Sequence, residues 1–216
     1  MIYLFVPYYG EWHSYFQECL DNQAEKFWLF KYDRKENGVG WTSACNMFHR
    51  EFSRYRGTED DVICIMNNDI TFGDFFLSEG YEVDTGTVLI PRDSGVSFDW
   101  SNKRCHHGLD TFPGRAFFMT APDFIKSGGF SRLLPHYLSD LDYGFKLAKR
   151  GMRIEEMNHS INHESHPVNR NAWRVRSVNN PISWTVFLFK WGRNRYILKN
   201  LLTSWLELFK KTMKLN

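Results

Sequence analysis

The sequence has little cysteine and no long apolar run. Its four cysteines, Cys19, Cys45, Cys64 and Cys105, form no CxxC pair, which disfavours a disulfide scaffold and a cysteine-rich zinc module. No stretch approaches the roughly 18 apolar residues of a membrane-spanning helix. The opening residues, MIYLFVPYYGEWH, have neither a basic segment nor a small-residue cleavage site. We therefore expect no signal peptide at this end and a reducing, cytoplasmic location.

Acidic residues are almost absent from the last quarter of the chain. Residues 167–216 contain ten Lys or Arg against one acid, Glu207, whereas residues 1–166 contain 17 against 24. A basic segment attached to an acidic body indicates a polyanionic partner, and an anionic membrane surface and a nucleic acid both fit this description. Because no RNP, zinc-finger or helix-turn-helix pattern occurs, no nucleic-acid partner is expected.

The remaining composition is that of a soluble globular protein. Hydrophobic residues make up 43% of the 216 residues, charged residues 24% and aromatic residues 17%. These proportions exclude a chain that is disordered throughout, because it has enough apolar side chains to build a core. The length suits one compact domain with a short appendage.

Strands and helices alternate in the first half. Short apolar runs predict strands over 2–6, 27–32 and 62–66. Apolar residues at helical spacing predict helices over 12–20 and 44–55, the second behind Thr42 or Ser43 as a cap. This alternation is typical of an α/β fold with a mostly parallel sheet flanked by helices. Ligands of such sheets bind at the carboxyl ends of the strands.

The second half is less regular. We predict strands over 87–90 and 116–119, a polar loop over 92–112, and a helix over 141–152 that breaks at Gly151. Residues 194–216 follow one long amphipathic helix, with Leu198, Leu202, Trp205 and Phe209 on one face and lysines largely off it. Such a helix either packs on the body or lies in a membrane interface. The expected organisation is a domain over 1–166 and a basic helical extension over 167–216.

Three polar clusters carry candidate chemistry, and the first is Asn67-Asn68-Asp69. It follows the buried run 62–66, so Asp69 lies at a predicted strand end. One carboxylate together with substrate phosphates is a common way to hold Mg²⁺ or Mn²⁺, because these ions prefer oxygen ligands. The alternative is a simple turn, since Asn and Asp favour turns.

The second cluster is Ser139-Asp140-Leu141-Asp142, at the start of a predicted helix. Ser139 and Asp142 are spaced as a capping box. That motif gives Asp140 no capping role, although Asp140 lies at the start of a helix in the ligand-binding half of the fold. A carboxylate there can act as a general base on a substrate hydroxyl.

The third cluster holds His159, His163 and His166. On a helix these positions would share a face and could bind zinc. Pro167 and the nearby Asn and Ser residues instead favour a strand or a loop. An ordinary surface or polar-core histidine is the competing interpretation for each of them.

The three clusters, in this order, resemble the family 2 glycosyltransferases, which have the GT-A fold. The resemblance runs from Tyr3 to about Ser165 and rests on motifs in a shared order. The motifs are VPYY (6–9), GWTSACN (40–46), the DxD-like MNNDI (66–70), the turn SGGFS (127–131), SDLD (139–142) followed by KRG (149–151), and INH (161–163).

The resemblance implies a role for each matched residue. Asp69 would bind Mn²⁺ or Mg²⁺, and His163 would be a second metal ligand or a diphosphate contact. Asn67 and Asn68 would contact the ribose and phosphates of the donor, and Asp140 would be the catalytic base. The remaining donor-binding residues would be Pro7, Tyr8, Asn46 and Asp33, of which Asp33 would reach the nucleobase.

The implied activity is inverting transfer of a sugar from a nucleotide-diphosphate donor to a glycan or lipid-linked acceptor. That activity suits surface polysaccharide synthesis and a peripheral location on the inner face of a membrane. The sequence departs from the family pattern at Ser139, where a Glu is usual, and after Asp33, where a helix and a strand are missing.

Two other functional classes stay open at this point. One is a metal-dependent hydrolase or zinc protein that uses His106, His107, His159, His163 and His166. The other is an inactive binding module that keeps the fold, because fold alone does not establish function.

Overall fold

The structure is a computed structural model that describes residues 1–55, 58–134, 138–164, 170–192 and 194–213. The strands are β1 (Ile2–Tyr8), β2 (Phe27–Asp33), β3 (Val62–Met66), β4 (Ile70–Phe72), β5 (Thr87–Ile90), β6 (Val96–Asp99), β7 (Arg104–His107), β8 (Ala116–Thr120), β9 (Arg153–Glu156) and β10 (Ile161–His163). The helices are α1 (Ser14–Asp21), α2 (Trp41–Tyr55), α3 (Phe76–Tyr81), α4 (Ala121–Ser127), α5 (Ser139–Lys149), α6 (Arg170–Trp191) and α7 (Asn194–Met213).

A six-stranded sheet in the order β2-β1-β3-β8-β5-β9 forms the centre. Strand β8 runs antiparallel to β3 and β5, and the other neighbouring pairs are parallel. The two middle strands, β3 and β8, are buried along their whole length. The predicted α/β class with a mostly parallel sheet is confirmed.

Alternation of side chains along the strands divides the core into two layers. In β3, Ile63 and Ile65 face the layer that contains α2, α4 and α5, whereas Val62, Cys64 and Met66 face α1 and α3. Successive strand residues point to opposite faces, so a run that is apolar at every position must be covered on both sides.

Residues 92–112 are not the loop predicted from their polar composition. Strands β6 and β7 pair antiparallel, with Val96 opposite His107 and Asp99 opposite Arg104. All four residues of β7 are exposed, so its backbone ladder rather than a buried side-chain pattern defines the strand. Strand β7 therefore lacks period-two hydrophobicity, but β6 has it, because Val96 and Phe98 alternate with Ser97 and Asp99, and this strand signal was missed.

Both predicted helix caps are wrong. Thr42 and Ser43 lie inside α2, and the Thr42 hydroxyl donates to the Leu134 carbonyl at 2.9 Å. Helix α5 has Leu138 as its N-cap, with a left-handed φ of 64° and no side-chain cap bond. The Asp142 carboxylate accepts instead from Lys190 and Trp191 of α6, so a tertiary contact replaces the expected capping box.

Two helices form the C-terminal part. The predicted tail helix is present as α7, with residues 214–216 outside the described residues. Helix α6 lies in the expected helical extension, but its bounds were not predicted, because it contains Pro181 and its apolar residues follow no single stripe. Trp184, Phe187 and Leu188 of α6 pack against Phe98 and Leu138 of the body. No described helix is both long enough and apolar enough to cross a membrane.

Candidate active site

Asp33 and Asp69 lie at the same edge of the central sheet. Strands β1, β2, β3, β5 and β9 all point the same way, because β8 is antiparallel to both of its neighbours. Their carboxyl ends therefore lie along a single edge, which Asp33 and Asp69 both reach.

Asn67-Asn68-Asp69 turns the chain from β3 into β4, and both asparagine side chains hold this turn. Asn67 Oδ1 accepts from Trp41 Nε1 at 3.0 Å, and Asn68 Nδ2 donates to the Glu11 carbonyl at 2.7 Å. These two bonds tie the connection between β3 and β4 to α2 and to the loop that follows β1.

His163 lies beside Asp69 because of a short antiparallel ladder. Strands β4 and β10 pair with His163 opposite Ile70, and the Glu164 N–H donates to the Asp69 carbonyl at 2.9 Å. His163 Nε2 is 3.3 Å from Asp69 Oδ2. Two sequence motifs 94 residues apart, at positions 69 and 163, are therefore joined at one point.

The second carboxylate oxygen of Asp69 is the clearest sign of a ligand at this point. Oδ1 is buried, and no described residue offers it a hydrogen bond. An orphaned, buried carboxylate oxygen is costly unless a ligand or ion satisfies it. With His163 Nε2 close to Oδ2, the pair presents oxygen and nitrogen ligands of the kind that bind a divalent cation.

Tyr15 lies in the electrostatic field of several carboxylates, including that of Asp69. Burial raises the pKa of the Tyr15 phenol, and the carboxylates of Asp69, Glu164 and Glu11 raise it further. Three carboxylates thus act on one side chain, and this negative field favours a bound cation.

Asp140 lies in the first turn of α5, and backbone donors orient its carboxylate. Oδ2 accepts from the Gly114 N–H and Oδ1 from the Leu141 N–H, both at 2.9 Å. Gly114 is required in this position because a Cβ there would lie 2.9 Å from the Trp41 ring and 3.1 Å from the Asp140 Cβ.

The segment 114–115 connects Asp140 to the metal-binding candidates. While Gly114 donates to Asp140, the Arg115 carbonyl accepts from the Asn67 N–H at 2.8 Å. Trp41 spans the same gap, since it donates to Asn67 and touches the Gly114 position. A chain of contacts through Asn67, Arg115 and Gly114 therefore connects the segment that carries Asp69 to Asp140.

Pro7, Tyr8 and Asp33 also come together, at the ends of β1 and β2. Arg34 donates to the Pro7 carbonyl through Nε and to the Tyr8 carbonyl through its backbone N–H. Asp33 Oδ1 accepts from the N–H groups of Gly10, Lys35 and Glu36. Partial desolvation raises the pKa of Asp33, but these three hydrogen bonds outweigh it and leave the pKa below its usual value.

Asn46 lies at a different place from the other candidates. Its Oδ1 accepts from the Phe130 N–H at 2.7 Å, and its Nδ2 donates to the Phe130 carbonyl at 3.1 Å. Both ends of the amide therefore hold the Gly128-Gly129-Phe130 turn, and the structure does not bring this side chain together with Asp69.

The described histidines of the zinc hypothesis lie against different partners. His159 pairs with Glu79 and His163 with Asp69, while His107 lies 3.0 Å from Glu156 and near Asp93. His166 lies outside the described residues. Within the described residues, no cluster with metal-ligand geometry contains two histidines.

No role was predicted for Trp41 or Gly114, although Trp41 bonds to Asn67 and Gly114 bonds to Asp140. Pro113-Gly114 directly before the strand over 116–119 is a turn signal that marks the position. No comparable signal exists for the contact between Trp41 and Asn67, which forms only in the folded chain.

No protein-family model and no curated protein matches this chain, but solved structures resemble it. GalNAc-T7 with UDP, GalNAc and Mn²⁺ aligns with a TM-score of 0.59 at 11% identity, over 82% of this chain. The mannosyltransferase PcManGT from Pyrobaculum calidifontis, with GDP-Man and Mn²⁺, aligns with a TM-score of 0.55 at 14% identity, over 96% of this chain. A mutant of Drosophila β1,4-galactosyltransferase 7 with manganese, UDP-Gal and xylobiose gives 0.50 at 13% identity, over 81%.

These likenesses establish the architecture. The chain covers 47% of the GalNAc-T7 chain, or about half of its length, 69% of the mannosyltransferase and 79% of the galactosyltransferase. All three are glycosyltransferases, and the fold of this chain is the GT-A fold. The fold expected from the sequence resemblance is confirmed.

Proposed function

We propose that the chain is an inverting glycosyltransferase that moves a sugar from a nucleoside-diphosphate donor to the hydroxyl of a glycan or lipid-linked acceptor. The observation that carries this proposal is the buried, unpartnered Oδ1 of Asp69, with His163 3.3 Å from its other oxygen. It lies at the ligand-binding edge of a GT-A fold, connected through residues 114–115 to a second, separate carboxylate.

Asp69 and His163 fit a divalent cation and would hold Mn²⁺ or Mg²⁺. Two protein ligands leave further coordination positions for water and diphosphate oxygens, which is how these ions are usually bound. The bound ion would stabilise the charge of the departing nucleoside diphosphate. The Mn²⁺ recorded with the three similar glycosyltransferases supports this assignment.

Asp140 would be the catalytic base. The acceptor oxygen attacks the anomeric carbon while the bond from that carbon to the diphosphate breaks, and Asp140 takes the hydroxyl proton. One displacement inverts the anomeric configuration. Backbone N–H groups of Gly114 and Leu141 orient the carboxylate, and because neither bonding partner is a proposed metal ligand, Asp140 would be available for the proton.

The donor would lie between Asp69 and the ends of β1 and β2. Pro7, Tyr8 and Asp33 would contact the nucleoside, and the turn at Asn67 and Asn68 the ribose and phosphates. The hydrogen bond from Asn68 to the Glu11 carbonyl supports this donor position, because it joins the segment after β3 to the loop that follows β1. For Asn46 we propose an indirect part, in which its bonds to Phe130 support the neighbouring turn.

The acceptor and the place of action complete the proposal. A lipid-linked acceptor, as in the synthesis of a surface polysaccharide, would require the enzyme to work peripherally at a membrane. The ten basic residues and single acid of residues 167–216 support this part.

The test is a screen of nucleotide sugars for Mn²⁺-dependent stabilisation and donor hydrolysis. The donor that emerges is then used with wild type and Asp140→Asn. The variant should bind the donor nearly as wild type does and lose about 10²–10⁴-fold in turnover, the usual contribution of a general base. Unchanged turnover would exclude Asp140 as the base, and loss of donor binding would make it a donor or metal ligand instead.

A further inference from the structure

Helix α7 packs along α6, and its polar side chains also bond to the β6–β7 hairpin. Asn200 and Ser204 are buried against the body, where Asn200 Nδ2 donates to the Trp100 carbonyl at 2.7 Å and Lys103 Nζ donates to Ser204 Oγ at 2.9 Å. Lys199 Nζ donates to the Ser101 carbonyl at 3.2 Å. These hydrogen bonds add to the packing of Leu201 against the apolar cluster that contains Phe98 and Phe187, so apolar and polar contacts both hold this side of α7.

The apolar stripe of α7 faces away from that attachment. Five large apolar side chains of the helix are exposed, and their spacing puts them on one side of it. They are Leu198, Leu202, Trp205, Leu206 and Phe209. Soluble proteins rarely leave a stripe of this kind uncovered unless it has a partner. We call these five residues the outer stripe.

The charges around the outer stripe indicate what covers it. Lys199 and Lys210 are exposed, and helical spacing places both along one margin of the stripe. A second copy would bring the same surface to face itself, as symmetric dimers do. Lys199 and Lys210 of both copies would then lie along one contact, and these like charges would repel.

We propose that the outer stripe inserts into the interface of an anionic lipid bilayer. An apolar face that contains Trp and Phe and is bordered by Lys is the composition of a helix that lies in such an interface. Basic residues close to the surface add attraction to anionic lipid headgroups. This inference deepens the proposed function by naming the surface where a lipid-linked acceptor would be met, and its test requires no transferase activity.

The proposed membrane contact would be connected to the proposed catalytic base through α6 and α5. Helix α6, which packs with α7, is joined to α5 by the ion pair between Lys190 and the buried Asp142. Asp142 is two residues from Asp140, so a helix held at the bilayer is connected to the helix that carries the proposed base.

The experiment is flotation of the full chain with vesicles of phosphatidylcholine, with and without phosphatidylglycerol, at low and high salt. The test variant is Leu198→Ser combined with Leu202→Ser and Phe209→Ser. The control is Leu133→Ser, since Leu133 is as exposed as Leu198, each at 70%, but lies on the body.

Wild type and Leu133→Ser should float with the anionic vesicles, less at high salt, and the triple variant should bind at least tenfold more weakly. Because the substituted side chains are exposed, its melting temperature should stay near that of wild type. Three results would overturn the inference. The wild type could fail to bind anionic vesicles, or the triple variant could bind them as the wild type does. Sedimentation could also show that wild type and Leu133→Ser are dimers and the triple variant is a monomer.

Failure of this inference and failure of the proposed function give different results. Donor binding without vesicle binding removes only the membrane contact. Vesicle binding without affinity for any nucleotide sugar removes the transferase proposal and leaves a membrane-binding GT-A protein.

Discussion

Replacing Asp142 with alanine should weaken the attachment of α6 to the body. The Asp142 side chain is 0% exposed, and its Oδ1 lies 2.6 Å from Lys190 Nζ and 2.7 Å from Trp191 Nε1. Removing one partner of a buried ion pair costs about 3–5 kcal/mol. Because 36% of the Lys190 side chain is exposed, its ammonium can regain water, and we expect the lower end, about 3 kcal/mol.

Thermal denaturation followed by circular dichroism measures this loss. For a chain of this size, about 3 kcal/mol corresponds to a fall of roughly 6–12 °C in Tm. Asp142→Leu combined with Lys190→Met should recover most of the fall, because apolar side chains of similar volume can replace a buried pair. Asp110→Ala, which removes an exposed carboxylate, is the control and should change Tm little.

A wild-type Tm in Asp142→Ala would refute the reasoning. So would a double variant as unstable as the single one, since the loss would then arise from the site itself rather than from an uncompensated charge. Amide hydrogen exchange should place the loosened region in α6 and α7 if the ion pair is the anchor.

Two further predictions concern α5. Gly144→Ala should destabilise the protein by about 1–3 kcal/mol, because the new Cβ would overlap the Thr111 side chain. The control is Gly73→Ala, which should not destabilise it, because no atom lies within 4 Å of the added Cβ. Urea denaturation measures the free energy of unfolding of both variants. Burial, aided by Arg150, lowers the pKa of Lys146 from 10.5 to about 8. The folded protein thus releases this proton at lower pH than the unfolded chain, so between those values the free energy of unfolding should rise with pH in wild type relative to Lys146→Met. Parallel curves for the two proteins across that range would contradict the shift.

The sheet and part of the site could be predicted because they depend on local pattern. The run 62–66 is apolar at every position and ends in Asn-Asn-Asp, so a buried strand with a carboxylate at the ligand edge follows from sequence alone. That prediction required no knowledge of which strands are neighbours, because parallel strands in such sheets share one functional edge.

Features that depend on tertiary partners could not be predicted in this way. Asp142 fits a capping box in sequence but forms an ion pair with Lys190, a residue 48 positions away. Asn46 is part of a motif, yet its amide is bonded to the Phe130 backbone. Strand β7 is exposed along its length, and hydrogen bonds to β6 alone define it. In each case the deciding contact is distant in sequence or carries no hydrophobic pattern.

The central claim is that Asp69 and His163 hold a divalent cation that binds the diphosphate of a donor. The most direct test is isothermal titration of UDP and of GDP with and without Mn²⁺. In wild type, Mn²⁺ should tighten binding of one nucleotide by about tenfold or more, which is an ordinary coupling between two ligands.

Asp69→Asn should abolish this coupling and His163→Ala should reduce it, whereas Asp74→Asn, an exposed carboxylate close in sequence, should keep it. Wild-type affinities that ignore Mn²⁺ for both nucleotides, or full coupling in Asp69→Asn, would contradict the account.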